Sequence, residues 1–322
     1  MTSEQHVAPG VRRIALPLPL ALRSVNAYLI EGDRGWSIVD SGMHTPEAES
    51  ELRSGLAAAG IGLPDLRTAF ITHLHPDHLG MAGTLRDAGA ELLMHGPEIE
   101  RARLVWSGDH QLINATYELF EQHGMPHDVD EGMRAAWVAI GERVDPFEPM
   151  RAVTDGEVLD LGGRAMTVVW TPGHTDHHAV LFEASTGTLI SGDHVLPRIT
   201  SNVGVYPDGR PDPLGDFLSA LEQMKTLGVR RVLPAHGEPF DDCAGRVDEI
   251  LAHHAQRLDE TLHAVGAGGR NAYDICRTLF PVLRSAHEER FALAETLAHL
   301  RYLELRGRLR EVEGRPVTWS VV

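Results

Sequence analysis

The chain is poor in cysteine. Cys243 and Cys276 are the two thiols in 322 residues, too few for a disulfide framework. They stand apart from every histidine motif and read as buried thiols in a reducing compartment. No run approaches the roughly 20 uninterrupted apolar residues of a membrane-spanning helix, and the first apolar piece, Ile14 to Leu22, is broken by Pro17 and Pro19. The start, Met1 to Pro9, is polar and lacks the basic-then-apolar order of a signal peptide. The expectation is a cytoplasmic protein with no membrane partner. Basic residues are scarce as well: 29 Lys and Arg against 46 Asp and Glu leave a formal charge of −17. That disfavours a broad nucleic-acid surface, whose affinity rests on Lys and Arg. Histidine is abundant, with 19 residues, and its placement matters more than its number.

Short β-type runs cover Arg12 to Leu18, Asn26 to Glu31, Trp36 to Val39, Thr68 to Thr72 and Glu91 to Met94. Between them, Pro46 to Ala59 and Met81 to Ala88 have helical composition, with Leu52 and Leu56 spaced for one buried face. This alternation predicts a layered α/β fold. From about residue 97 to 150 the texture turns helical, at Ile113 to His123 and Glu131 to Glu142, and reads as an insertion able to cover a site. Strand character returns at Glu157 to Leu161, Ala165 to Trp170, Ala179 to Glu183, Thr188 to Ser191 and Arg231 to Pro234, with a helix at Pro213 to Leu227. Beyond Asp242 three helices, Val247 to Val265, Ala272 to Phe280 and Phe291 to Arg306, precede a hairpin of Leu309 to Val312 and Val317 to Val321. That order is the order of a small winged-helix domain. The expected division is therefore residues 10–242 and 243–322.

Four motifs lie at the ends of apolar β-type runs: His73-Leu74-His75-Pro76-Asp77-His78, Pro172-Gly173-His174-Thr175, Ser191-Gly192-Asp193-His194 and Pro234-Ala235-His236-Gly237. Loops over a rigid scaffold are where functional side chains gather. Imidazole nitrogen and carboxylate oxygen suit borderline divalent ions such as zinc. Five histidines and two aspartates suffice for two ions with about three protein ligands each, one aspartate being shared. Open positions then remain for water, as a catalytic site requires. A chance origin for four such motifs in this order is remote.

These motifs resemble the metallo-β-lactamase superfamily over about residues 10 to 242. The resemblance implies an αββα sandwich, α/β in class, with the site along one edge of its two sheets. It further implies that His73, His75 and His174 hold one ion, that Asp77, His78 and His236 hold a second, and that Asp193 bridges them. Asp40, in Val39-Asp40-Ser41-Gly42, matches a position that supports the metal loop. The ions expected are zinc, with iron or manganese as alternatives. Two cations lower the pKa of a water between them towards neutrality, and the implied chemistry is attack by a metal-bridging hydroxide, with Asp77 as the catalytic carboxylate that orients it or passes on its proton.

His178 and His194 read either as outer supports of the ligands or as structural loop residues, and Tyr206 as a donor to substrate. His44, His95, His110, His123 and His127 read as solvated or capping. The motif Thr171 to Asp176 and the C-terminal tail resemble the subgroup of β-lactamase-like protein 2; the metal set also fits the hydroxyacylglutathione hydrolases. The reading favours hydrolysis of a small ester, thioester or lactone. Its rival is an endoribonuclease whose C-terminal domain docks RNA through Arg301, Arg306, Arg308 and Arg310; such arginines more often pair with neighbours like Glu304 and Glu311. A homodimer is compatible with either reading.

Overall fold

The computed structural model describes residues 4–20, 22–106, 108 and 110–322. Seven strands form the first sheet in chain order: β1 (Glu4–Ala8), β2 (Val11–Pro17), β3 (Ser24–Gly32), β4 (Gly35–Val39), β5 (Leu66–Phe70), β6 (Glu91–His95) and β7 (Arg151–Val153). The first four pair antiparallel, whereas β4 to β7 run parallel. Parallel neighbours need crossovers. Helix α1 (Pro46–Ala58) supplies the first; α2 (Pro76–Leu79) and α3 (Ala82–Asp87) supply the next. Helix α1 starts where it does because the Thr45 hydroxyl accepts from the Ala48 N–H at 3.1 Å and Pro46 presets the first turn. It lies close on the sheet, because a Cβ at Gly55 would meet Ile14 of β2 at 2.8 Å.

The second sheet, after helices α4 (Gly96–Trp106), α5 (Gln111–Gln122) and α6 (His127–Gly141), holds β8 (Val158–Leu161), β9 (Arg164–Trp170), β10 (Ala179–Glu183), β11 (Thr188–Gly192) and β12 (Arg231–Pro234). Their order is β12-β11-β10-β9-β8. The alternation of strands sends Tyr28, Ile30, Val39, Phe70 and Leu93 of one sheet against Met166, Val168, Leu181, Ile190 and Leu233 of the other, in one buried core. Two sheets face to face with helices outside make the αββα layering that the motifs implied.

Both sheets belong to one compact unit, residues 1–103, 140–201 and 220–247. A second unit comprises residues 104–139, 202–219 and 248–322. Within it, α5 and α6 share a core with α8 (Cys243–Val265), α9 (Ala272–Leu279), α10 (Ala286–Leu305) and the hairpin β13 (Leu309–Val312) and β14 (Thr318–Val321). Helix α7 (Pro213–Met224) contributes residues to both units. Tyr117, Phe120, Ile275, Leu293 and Trp319 are fully buried in the second core. Cys243 and Cys276 are buried and unbridged. Among the described residues no helix is long and apolar enough to cross a membrane.

Three of the elements that escape the sequence pattern are these. Strand β1 is polar and short, and its pairing partner β2 supplies its order. Strand β7 has three residues, too few to show a period. Helix α4 opens with Gly96-Pro97, which reads as a turn. A fourth difference is one of length: helix α10 begins at Ala286, five residues before its apolar pattern. Ser285 caps it there by accepting from the Glu288 N–H at 3.2 Å.

Candidate metal centre

The first motif leaves β5 and bends at His75, after which Pro76 opens the single turn of α2. That turn puts Asp77 and His78 side by side. The other three segments come from the second sheet: His174 follows β9, Asp193 follows β11 and His236 follows β12. All seven predicted ligands converge. His73, His75 and His174 form one group able to hold an ion; Asp77, His78 and His236 form another; Asp193 joins His73 and His78 in a third.

The distances have the scale of a coordination shell. His75 Nδ1 lies 3.0 Å from both His73 Nε2 and His174 Nε2. His236 Nε2 is 3.4 Å from Asp77 Oδ2 and 3.4 Å from Asp193 Oδ1. His78 Nε2 is 3.6 Å from the same Asp193 oxygen and 3.8 Å from Asp77 Oδ2. Ligands at zinc bond lengths of about 2.0–2.1 Å in a tetrahedron sit about 3.4 Å from each other. Asp193 reaches both sides: Oδ1 faces His78 and His236, whereas Oδ2 is 3.3 Å from His174 Nε2.

The hydrogen bonds fix which nitrogens are free to bind. His78 gives its Nδ1 proton to Asp40 Oδ2 at 2.8 Å, and His236 gives its Nδ1 proton to the Ser24 carbonyl at 2.9 Å. A carbonyl can only accept, so the neutral form of His236 carries its proton on Nδ1 and its lone pair on Nε2. The buried atoms His78 Nε2, His236 Nε2 and Asp193 Oδ1 make no hydrogen bond. Such groups are costly to bury without a partner, and a divalent cation is a partner that satisfies all three. The donor set therefore fits the metals that the motifs implied.

The charges agree. Burial, reinforced by neighbouring imidazoles, pushes His73 and His75 well below the ordinary histidine range, so they are neutral, as ligands must be. Burial would also lower His78, but Asp40, Asp77 and Asp193 outweigh it and raise it to about 9. For Asp193, burial opposes ionisation, yet His236 and His78 hold its carboxyl well below the usual range. The second half of the centre is thus an anionic pocket calling for positive charge.

The supporting residues were legible in part. Asp40 is buried and accepts from the Thr72 N–H at 2.8 Å as well as from His78. His178 is buried; its Nδ1 proton goes to the Thr171 hydroxyl at 2.7 Å, and its Nε2 accepts from the Asp193 N–H at 3.2 Å. It therefore fixes the backbone of the aspartate between the two groups. Gly192 permits this contact, since its φ is +48° and a Cβ there would meet His178 Nε2 at 2.6 Å. His194 is buried, and burial lowers it to about 3. Tyr206 lies in the second unit, partly buried against its core.

Other histidines depart from expectation. His95 and His123 are buried rather than solvated; His95 gives its Nδ1 proton to the His177 carbonyl at 3.0 Å. His110, by contrast, is exposed as expected and precedes α5 without a capping bond from its side chain.

Pattern reading missed Asn26 and Tyr28 altogether. Asn26 Nδ2 donates to the carbonyls of Pro234 at 2.9 Å and Gly237 at 2.8 Å, on either side of His236. Tyr28 adds a hydroxyl bond of 2.6 Å to Pro234 O. A polar residue inside the apolar strand β3 was the available signal.

Comparison with known proteins decides the family. The Metallo-beta-lactamase superfamily description matches residues 20–236, and a Metallo-beta-lactamase-like, C-terminal domain matches residues 258–319. The chain belongs to the metallo-beta-lactamase superfamily. A crystal structure of a family protein from Thermus thermophilus is 34% identical, with a TM-score of 0.89 over 98% of this chain and 100% of that one. The probable metallo-hydrolase YqjP of Bacillus subtilis (strain 168) is 27% identical over 94% of this chain and 93% of its own length. A beta-lactamase-like protein 2 homolog of Caenorhabditis elegans is 28% identical over 81% and 75%. An atrochrysone carboxyl ACP thioesterase of Cryptosporiopsis sp. is 23% identical over 81% and 64%. This superfamily chain thus has hydrolase relatives and a cluster able to hold divalent metal.

Proposed function

We propose that this superfamily member is a dinuclear, zinc-dependent hydrolase of a small ester, thioester or lactone. The observation that carries the reading is the pair of oxygens on Asp193, which face different imidazole groups. His73, His75 and His174 would hold one cation; Asp77, His78 and His236 the other; Asp193 would serve both. Bound cations supply Lewis acidity and make water a nucleophile near neutral pH. The chain supplies the rest. Asp40 and Ser24 O hold the tautomers of His78 and His236. Asp77 stays ionised despite burial, because His78 and His236 hold its carboxyl well below the usual range. As an acceptor it orients the attacking water and relays its proton towards the leaving group.

The thioester option is supported by the thioesterase among the relatives. The metal-binding domain is taken as residues 10–242 and the C-terminal domain, winged-helix-like in its order of three helices and a hairpin, as 243–322. A small-molecule substrate is favoured over RNA because two of the four arginines that would meet phosphate are engaged: Arg301 pairs with Glu304 and Glu311, and Arg306 with Asp212. A cytoplasmic location goes with this reading. The test is a parallel assay of zinc-loaded protein on thioester, lactone, phosphodiester and RNA panels. Turnover confined to thioesters, esters or lactones, and lost on chelation, supports the proposal. Salt-dependent RNA binding with RNA cleavage, and no carbonyl turnover, would overturn it.

A further inference from the structure

The metal-site segments of the first unit hang from two different sheets, and something must set their separation. Residues 73–75 follow β5 of the first sheet, whereas residues 174–178 lie between β9 and β10 of the second. They meet at His75 Nδ1, which is 3.0 Å from His73 Nε2 in its own segment and 3.0 Å from His174 Nε2 in the other. One short stretch outside both segments, His95 to Glu98, reaches both of them. Glu98, at the start of α4, is fully buried. Its Oε1 accepts from the N–H of Leu74, the residue between His73 and His75, at 3.0 Å. The Thr175 hydroxyl and the His177 N–H, in the segment that carries His174, lie near the same carboxylate, whose Oε2 makes no hydrogen bond. Three residues earlier His95 binds the other side of His177, donating to its carbonyl at 3.0 Å. The short stretch His95-Gly96-Pro97-Glu98 therefore grips the 174–178 segment from both sides of one residue.

A carboxyl so placed is expensive. Burial raises it to about 7 even though the Leu74 N–H, the Thr175 hydroxyl and the His177 N–H all favour its ionised form. Among the described residues no Lys or Arg figures in the leading influences on it; the charged neighbour that does is Asp176, of like sign. A group with that cost and those contacts contributes through the loops it holds.

We propose that Glu98 is a positioning residue for the three-imidazole half of the centre. By holding Leu74 while His95, three residues before it, holds the His177 carbonyl, it fixes His73 and His75 against His174, and with them the affinity of that half for a cation. This inference rests on the two-cation reading above.

The test uses the full-length protein, stripped of metal, with cobalt(II) as the probe. Glu98→Ala and Glu98→Gln are titrated beside the parent, and stepwise affinities and the visible absorption of bound cobalt are read. Far-UV circular dichroism identifies the variants that keep the parental fold, and those are compared. Glu98→Ala is expected to weaken one of the two binding steps by about 10–100-fold, the scale set by groups that orient ligands, and to change the cobalt spectrum of that step while the other step stays near parental. Glu98→Gln keeps an oxygen for Leu74 and should fall between Ala and parent. Parental affinities and spectra in every folded variant would overturn the proposal, as would equal weakening of both steps. A parent that takes up two ions while the variants match it sinks this inference alone; a parent that takes up none sinks the two-cation reading with it.

Discussion

His78 Nδ1 lies 2.8 Å from Oδ2 of Asp40, and both side chains are buried. The contact fixes the imidazole tautomer, so that Nε2 is the nitrogen left to face Asp77 and Asp193. Asp40 itself takes a left-handed backbone conformation, φ +61°, which aspartate tolerates better than most residues. In Asp40→Asn the amide can turn its NH2 towards His78 and favour the other tautomer. The expected result is a loss of about 10–100-fold in affinity for the cation held by Asp77, His78 and His236, read by competition with a chelator. Unchanged affinity would refute the orienting role.

Asp77 is placed to act on the reacting water as well as to ligate. Asp77→Ala is expected to lower kcat by at least about 100-fold, the lower end for loss of a general acid–base group. Steady-state rates check this, with far-UV circular dichroism to show that the fold is kept. Full activity in a folded variant would contradict the assignment.

Gly192 has no room for a side chain. Gly192→Ala drives a methyl to 2.6 Å from His178 Nε2 on a backbone with φ +48°. Strain and overpacking together should cost on the order of 1–3 kcal/mol. Denaturant unfolding of metal-stripped protein measures this, and a parental midpoint would show that the contact relaxes freely.

Acid should loosen the second unit. His254 and His299 are buried with ring centroids 5.4 Å apart, and His254 Nδ1 is 3.3 Å from His299 Nε2. His299 gives its Nδ1 proton to Glu295 O at 2.8 Å, so its Nε2 accepts from His254. Burial lowers His254 to about 3 and His299 to about 4, with Arg257 and His253 acting in the same direction. In the unfolded chain both return to about 6.5. Below that pH the unfolded state gains protons that the folded state refuses. The stability is therefore intact above about pH 6.5 and drains away as pH falls towards 4, by on the order of 2 kcal/mol for each histidine at pH 5. The Tm of metal-stripped protein should drop between pH 7 and 5, and His254→Leu should drop less. Equal drops would contradict this origin for the acid sensitivity.

The chemistry of this chain was more legible than its support. Ligands announce themselves because a metal demands particular atoms at strand ends; His73, His75, Asp77, His78, His174, Asp193 and His236 stand in compact motifs that survive as a linear string. The strands with alternating apolar residues were equally plain. Glu98, Asn26 and Tyr28 act through peptide groups far away in the chain: Glu98 on Leu74, 24 residues back, and Asn26 on Gly237, 211 residues on. Beyond the polar Asn26 inside the apolar strand β3, nothing in their local pattern separates them from a helix-opening acid or an ordinary strand residue. His95 is buried against expectation for the same reason, since its partner, the His177 carbonyl, lies 82 residues away.

The central claim is that two cations sit on either side of Asp193. Anomalous diffraction at the zinc edge from crystals of zinc-loaded protein, with elemental analysis of the same preparation, tests it most directly. Two peaks are predicted, one against His73, His75 and His174 and one against Asp77, His78 and His236, at two equivalents per chain. Protein that takes up no zinc, or binds it only away from these seven side chains, would contradict the claim.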